Sequence, residues 1–462
     1  MKKVSNRSFA ALVLTALLLV GLLAFGVRYA VKGSSWVVFP GSPHVYSGGN
    51  LNSGVVTDRD GVVLLDSTDG RKYADDAAVR KATLHLLGDR EGYIAAPVLR
   101  EYADELVGYD PFTGVYSLSG KSSTARLTIS AKVQTTALAA LNGRSGTVGV
   151  YNYRTGEILC AVSSPTYDPD KVPNIAGDTS GAYDGVYVNR FFGATFTPGS
   201  IFKLVTTAAA LENIGDIEKQ TFDCKGFYEV EGDKVICSGT HGKIDLKSAL
   251  AHSCNVAFGQ ISEELGKKTL TEYADKLGLT KSLTLDGITA AAGYFDLTKA
   301  PEVDVAWSGI GQYTDLINPC TYLRYMGVIA GGGKAAEPYL MQEVRSKKLT
   351  SSYKAATTYT GQLLEASTCK TLSAMMHNNV ETVYGAGKFP NLYVCAKSGT
   401  AEVGGEEMPH ATFAGFIQDE NYPLAFIVVA ENSGSGSAVC ASIAGTVLKQ
   451  CVAVMDAEAK SK

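Results

Sequence analysis

The stretch Thr197-Pro198-Gly199-Ser200-Ile201-Phe202-Lys203 limits this chain more than any other. Pro198 and Gly199 are turn formers, and Leu204 to Leu211 behind them is apolar on nearly every face. A turn that opens an all-round apolar run predicts a helix buried in a domain core. Ser200 then falls in the first turn, where free backbone N–H groups and the helix dipole favour developing negative charge. Lys203 lies three residues on, along the same face, within reach of the serine hydroxyl. A lysine in a core sheds its proton more easily than one in water, and a neutral amine beside a hydroxyl is a general base. The pattern alone reads equally well as a helix cap followed by a surface lysine. Ser351-Ser352-Tyr353-Lys354 fits it too, in a polar stretch with no apolar run behind it. The rest of the chain has to decide.

With 462 residues there is room for two or three domains, and 45% hydrophobic with 19% charged residues is a globular composition. The formal net charge of −4 and the absence of basic runs beyond Lys2-Lys3 argue against a nucleic-acid partner. Ser8 to Val27 carries no charge. About 20 residues at ~1.5 Å each span a ~30 Å hydrocarbon layer, so this run predicts a membrane anchor. Lys2, Lys3 and Arg7 before it, on a short flank, favour a cytoplasmic N-terminus with the bulk of the chain exported. A cleaved signal ending near Ala24-Phe25-Gly26 is the rival reading.

Nine cysteines are spread from Cys160 to Cys451. Cys224 and Cys237 flank a hairpin-like segment, Tyr228 to Ile236. They read as a disulfide of an exported domain, as free thiols, or, with His241 added, as part of a metal site. The last lacks a fourth ligand at a convincing spacing, so no metal and no cofactor is expected.

Gly41 to Ser53 reads as a flexible stalk, and Gly54 to Leu65 as two strands around an Asp-Gly turn. The organisation expected is a cytoplasmic tail at 1–7, an anchor at 8–27, a stalk with a small mixed α/β pedestal at 28–125, and a larger domain at 126–462. Strand-like segments near 147–163 and again at 393–396, 412–417 and 424–429 bracket a helical middle. The fold class expected for the larger domain is α+β, with its first and last strands sharing one antiparallel sheet flanked by helices.

Two further motifs accompany Ser200 and Lys203. Ser253-Cys254-Asn255 sets a hydroxyl and an amide one residue apart, and Lys397-Ser398-Gly399-Thr400 follows a strand-like segment. This trio is the set found in penicillin-binding proteins and class A β-lactamases, with Cys254 and Ser398 at positions where the usual listing has Asp and Thr. In motif order, and in Gly54 to Gly61, Thr155 to Leu159, Asn189-Arg190, Gly311-Gln312 and His410 to Gly415, the chain resembles a class B penicillin-binding protein. The resemblance is loose across 70–120. It implies the penicillin-binding/β-lactamase-like fold and a membrane-anchored peptidoglycan D,D-transpeptidase, single-pass, with its catalytic domain outside the cytoplasm.

The resemblance also implies roles. Ser200 would be the acylated nucleophile and Lys203 its base. Ser253 would relay a proton and Asn255 would hold the lysine. Lys397 would supply positive charge, while Ser398, Gly399 and Thr400 would bind the substrate carboxylate. The N–H groups of Ser200 and Thr400 would form an oxyanion hole. Cys254 is expected as a packed thiol and His410 as a structural residue. Stem peptides and β-lactams are the implied ligands, with a SEDS-type glycosyltransferase as an implied partner. The alternatives are a D,D-carboxypeptidase or β-lactamase with the same nucleophile, or a non-catalytic scaffold of a cell-wall complex.

Overall fold

The computed structural model describes residues 2–39, 41–43, 45–47, 50–109, 114, 123–346, 352–402, 404 and 407–461. Lys2–Lys32 is one helix, long enough at about 1.5 Å per residue to cross a bilayer. Its Leu, Val and Phe side chains from Phe9 to Val31 are exposed.

A five-stranded antiparallel sheet forms the centre of the chain after residue 145. Its spatial order is Val394–Ala401, His410–Ile417, Leu424–Ala430, Gly146–Asn152, Ile158–Ser164. Strands from the two ends of the domain thus share one sheet, as expected from the sequence. Every residue of the last three strands in that order is buried, because helices cover both faces. Alternation along each strand sorts the side chains between the two sides. Val148, Val150, Phe413, Phe426 and Val428 pack with the helices Ala131–Leu141 and Cys440–Ser461. Tyr151, Ala414, Phe416, Ala425 and Ile427 join the other core, which holds Lys203–Asn213 and Pro319–Ala330. The helix Cys440–Ser461 is apolar enough to resemble a membrane span, but half of that stretch is buried, in the core it shares with Ala131–Leu141.

A second, six-stranded sheet runs Ser352–Lys354, Met341–Arg345, Thr124–Leu127, Val55–Thr57, Val63–Asp66, Lys72–Tyr73. It draws strands from both sides of residue 126, a long-range pairing that no local pattern announces. The turn at Asp58-Arg59-Asp60-Gly61 is as expected, with Asp58 Oδ1 accepting from the N–H groups of Asp60 and Val62. In the segment read as a flexible stalk, described residues are packed instead. Val45, Tyr46 and Leu51 are buried, and Asn50 donates to the Asp89 carbonyl at 2.7 Å.

Candidate active site

Gly199–Ile201 is a single 3-10 turn that runs straight into the helix Lys203–Asn213. Gly199 has a φ of +55°, in the left-handed region that glycine enters freely. Nor is there room for a side chain, since a Cβ there would sit 2.7 Å from the Thr400 carbonyl oxygen. The same close approach recurs at Gly399, whose Cβ would lie 2.9 Å from the Pro198 carbonyl. Two glycines therefore let the Ser200 turn dock on the edge strand Val394–Ala401. From behind, Tyr322 and Tyr325 donate to the carbonyls of Ile201 and Leu204 at 2.7 and 2.9 Å, fixing the helix.

Two helices, Leu246–Ala251 and Asn255–Lys276, flank a break. The break falls at Ser253, whose φ of +56° costs on the order of 1–3 kcal/mol in a residue with a Cβ. The break turns Ser253 and Asn255 toward the Ser200 helix. Lys397 to Thr400, expected after a strand, lie within one.

These segments meet at Lys203. Its Nζ is 3.0 Å from Ser200 Oγ, 3.0 Å from Ser253 Oγ, 2.8 Å from the Ser253 carbonyl and 2.7 Å from Asn255 Oδ1. The carbonyl and Oδ1 can only accept, and Asn255 Nδ2 is committed to the Ile236 carbonyl at 2.8 Å. A neutral amine has two N–H donors and one lone pair, which suits this set: two hydrogens for the two carbonyl-type oxygens, the lone pair for a hydroxyl proton. Lys203 is fully buried, and burial first, then the charge of Lys397, pushes its pKa well below the ordinary lysine value.

Lys397 is also fully buried. Its Nζ contacts Ser253 Oγ at 3.1 Å, the Ser398 carbonyl at 2.8 Å and Tyr384 Oη at 3.5 Å. Burial pushes its pKa down to about 7. Ser200, Ser253, Asn255 and Ser398 are half-buried and Thr400 is exposed, so the hydroxyls face solvent over two sealed amines.

One participant escaped the sequence reading. Tyr384 Oη accepts from the Ser398 N–H at 3.0 Å and hydrogen-bonds Ser398 Oγ at 3.2 Å, bracing the strand beside Lys397. It ends a π turn, Val380–Tyr384, that extends the helix Ala366–Asn379. Nothing in its local pattern marks it. His410 starts the neighbouring strand and accepts from the Asn432 N–H at 3.1 Å, outside the lysine cluster. All nine cysteines are free and buried, so Cys224 and Cys237 are not joined in a disulfide.

Residues 146–449, well over half of the chain, match the family described as penicillin binding protein transpeptidase domain. Peptidoglycan D,D-transpeptidase PbpA of Mycolicibacterium smegmatis is 26% identical over 408 residues, covering 82% of this chain and 78% of its own. Among solved structures, the D,D-transpeptidase domain of a peptidoglycan glycosyltransferase from Eggerthella lenta superposes with a TM-score of 0.75 at 25% identity, covering 87% of this chain and 98% of that one. The penicillin G acyl-enzyme complex of penicillin-binding protein A from M. tuberculosis shares the fold, with a TM-score of 0.75 at 24% identity over 87% of this chain and 99% of that one. With all three motifs gathered around one buried amine and the family match spanning the domain that holds them, the chain belongs to the penicillin-binding protein transpeptidase family.

Proposed function

We propose that this chain is a peptidoglycan D,D-transpeptidase, anchored by Lys2–Lys32 with its N-terminus in the cytoplasm, that works through an acyl-enzyme on Ser200. The observation that carries the proposal is Lys203 Nζ, fully buried and 3.0 Å from the hydroxyls of both Ser200 and Ser253.

Ser200 Oγ attacks the carbonyl between the two terminal D-alanines of a stem peptide as its proton passes to the lone pair of Lys203. Charge on the carbonyl oxygen is met by the N–H groups of Ser200 and Thr400, at ~3 kcal/mol for each such donor. The tetrahedral adduct collapses, the C–N bond breaks, and the proton travels from Lys203 by way of Ser253 to the leaving amine. The terminal D-alanine departs. An amine of a neighbouring stem peptide then attacks the acyl-enzyme, giving its proton back along the same route and restoring Ser200. Asn255 holds Lys203 and the peptide group. Ser398 and Thr400 receive the terminal carboxylate, which the charge of Lys397 beneath them attracts. A β-lactam presents a similar acyl group and leaves Ser200 blocked. The same family resemblance supports a SEDS-type glycosyltransferase as a partner that would supply the glycan strands.

Fluorescent penicillin is the direct test. The wild-type protein should retain one covalent label per chain, and Ser200→Ala none. Equal labelling of both proteins, or no labelling of folded wild type, would sink the proposal.

A further inference from the structure

Three sulfurs and an imidazole nitrogen converge beside the active-site turn. Cys224 closes the strand Thr221–Cys224, and Cys237 follows the strand Asp233–Ile236. His241 precedes the strand Gly242–Asp245, and Cys254 caps the helix Asn255–Lys276. Four separate pieces of chain thus each send one donor to one point. Their ligand atoms all lie within 4.8 Å of one another. His241 Nδ1 is 3.4 Å from Cys224 Sγ and 3.5 Å from Cys237 Sγ, and Cys237 Sγ is 3.9 Å from Cys254 Sγ. A tetrahedral zinc ion, with Zn–S of about 2.3 Å and Zn–N of about 2.0 Å, sets S···N edges of about 3.5 Å and S···S edges of about 3.8 Å. These three edges match this frame, and the other three lie within 4.8 Å.

We propose that Cys224, Cys237, His241 and Cys254 bind one zinc ion that fastens the cysteine hairpin to the turn carrying Ser253 and Asn255. Three thiolates and an imidazole are the ligand set that a structural zinc takes, with no open position for chemistry. The fourth ligand, which spacing did not reveal, is the middle residue of Ser253-Cys254-Asn255. Its two neighbours both contact the buried amine of Lys203. The Asn255 N–H also donates to Cys237 Sγ at 3.3 Å, an outer hydrogen bond to a ligand of the kind that orients metal sites. Binding exchanges the thiol protons for the metal, so up to three protons leave as the ion enters. Zinc would also keep three adjacent thiols from oxidising in an exported domain.

The consequence for catalysis rests on Ser200 as the nucleophile; the metal site does not. Both are read on the full-length protein, purified without chelator. Elemental analysis should give about one zinc per chain. Cobalt(II) added to chelator-stripped protein should develop tetrahedral ligand-field bands with thiolate charge-transfer absorption. Cys224→Ser and His241→Ala should each weaken metal binding about 10- to 100-fold, while Cys160→Ser, in the core on the opposite side of the sheet, keeps the zinc. Labelled penicillin should acylate Ser200 at least several-fold more slowly once zinc is removed, and recover when zinc is restored. A zinc-free, folded wild type that gives no thiolate–cobalt absorption overturns the site, as does a Cys224–Cys237 disulfide found by intact mass. Should Cys224→Ser fail to fold, the wild-type zinc and cobalt measurements decide alone. Zinc bound in a protein that never takes up penicillin would leave the metal site standing and remove the acylation reading.

Discussion

Lys203 and Lys397, both sealed from solvent, bring their amines to the same hydroxyl, with Ser253 Oγ 3.0 Å from one and 3.1 Å from the other. Two ammonium ions so placed would repel each other in a medium that screens poorly. Burial lowers both pKa values, and Lys397 lowers that of Lys203 further. Lys203, whose two hydrogens are taken up by the Ser253 carbonyl and Asn255 Oδ1, has the partners that suit the neutral form. Its substitution should be severe. Lys203→Ala removes the base and leaves Asn255 Oδ1 and the Ser253 carbonyl without their donor. Acylation by labelled penicillin should fall by about 10²- to 10⁴-fold, measured on protein that circular dichroism shows to be folded. Wild-type acylation rates in Lys203→Ala would mean that another group removes the proton.

The same pair predicts a pH dependence. Acidification places a proton on Lys203 and removes the lone pair, so the acylation rate should fall toward low pH. Lys397 is a positive neighbour, and a positive neighbour disfavours protonation of Lys203. Removing it in Lys397→Ala should raise the pKa of Lys203 and shift the acid limb to higher pH. A limb that moves down, or stays in place, would count against Lys397 as the source of that field.

Tyr384→Phe tests the residue that the sequence did not reveal. The phenol oxygen accepts from the Ser398 N–H, and its loss leaves a half-buried donor unpaired at a cost of about 1–3 kcal/mol. Because the bond braces the strand that receives the substrate, the second-order acylation rate should drop about tenfold. Stability measured by denaturant should fall alongside it. Tyr384→Phe with unchanged acylation would make the phenol a packing residue only.

What could be read in advance follows from range. Thr197 to Lys203 and the apolar run behind it are a local pattern, so the helix and the Ser200–Lys203 pair were legible. The five-stranded sheet was legible because both-face burial leaves long apolar runs such as Leu424–Ala430. Tyr384 was hidden, since its role exists only through Ser398 on another element. Cys254 was hidden by its setting, as a residue between Ser253 and Asn255 reads as part of their motif. The sheet that joins Val55–Thr57 to Met341–Arg345 through Thr124–Leu127 was hidden by separation along the chain. Ser253 had no signal for its left-handed backbone either, because such a φ in a serine is imposed by its surroundings.

His85 gives a prediction about stability in acid. It is buried, with Nε2 2.8 Å from the Val186 carbonyl, and burial lowers its pKa to about 4 from an ordinary 6.5. A depressed pKa means that the unfolded chain takes up the proton first. The stability present above pH 6.5 is therefore lost as pH falls toward about 4. Between pH 7 and pH 5 this one group should cost about 2 kcal/mol. Denaturant melts of wild type and His85→Gln at both pH values isolate it, since glutamine can donate to the same carbonyl without titrating. Equal losses in the two proteins would mean that His85 does not carry the effect.

Arg80 and Asp168 make the last test, at a junction outside the active site. Arg80, on the helix Ala77–Leu87, pairs both its Nε and Nη2 with the Asp168 carboxylate at 2.7 Å. Both residues are buried, and the Arg80 hydrogen bond holds the Asp168 carboxyl below its usual range. Breaking such a pair by removing one partner leaves a buried charge alone, at about 3–5 kcal/mol. Arg80→Ala should destabilise by that order, and Asp168→Ala by less, because Arg80 keeps Asp170 at 3.4 Å and the carbonyls of Ala74 and Asp75. The double variant should lose much less than their sum, because the second change removes the charge that the first stranded. Neither residue touches Lys203, so acylation measured well below the melting temperature should stay within a few-fold of wild type. Additive losses would show that the two side chains act independently, and that the helix is held to the loop at Asp168 by its packing alone.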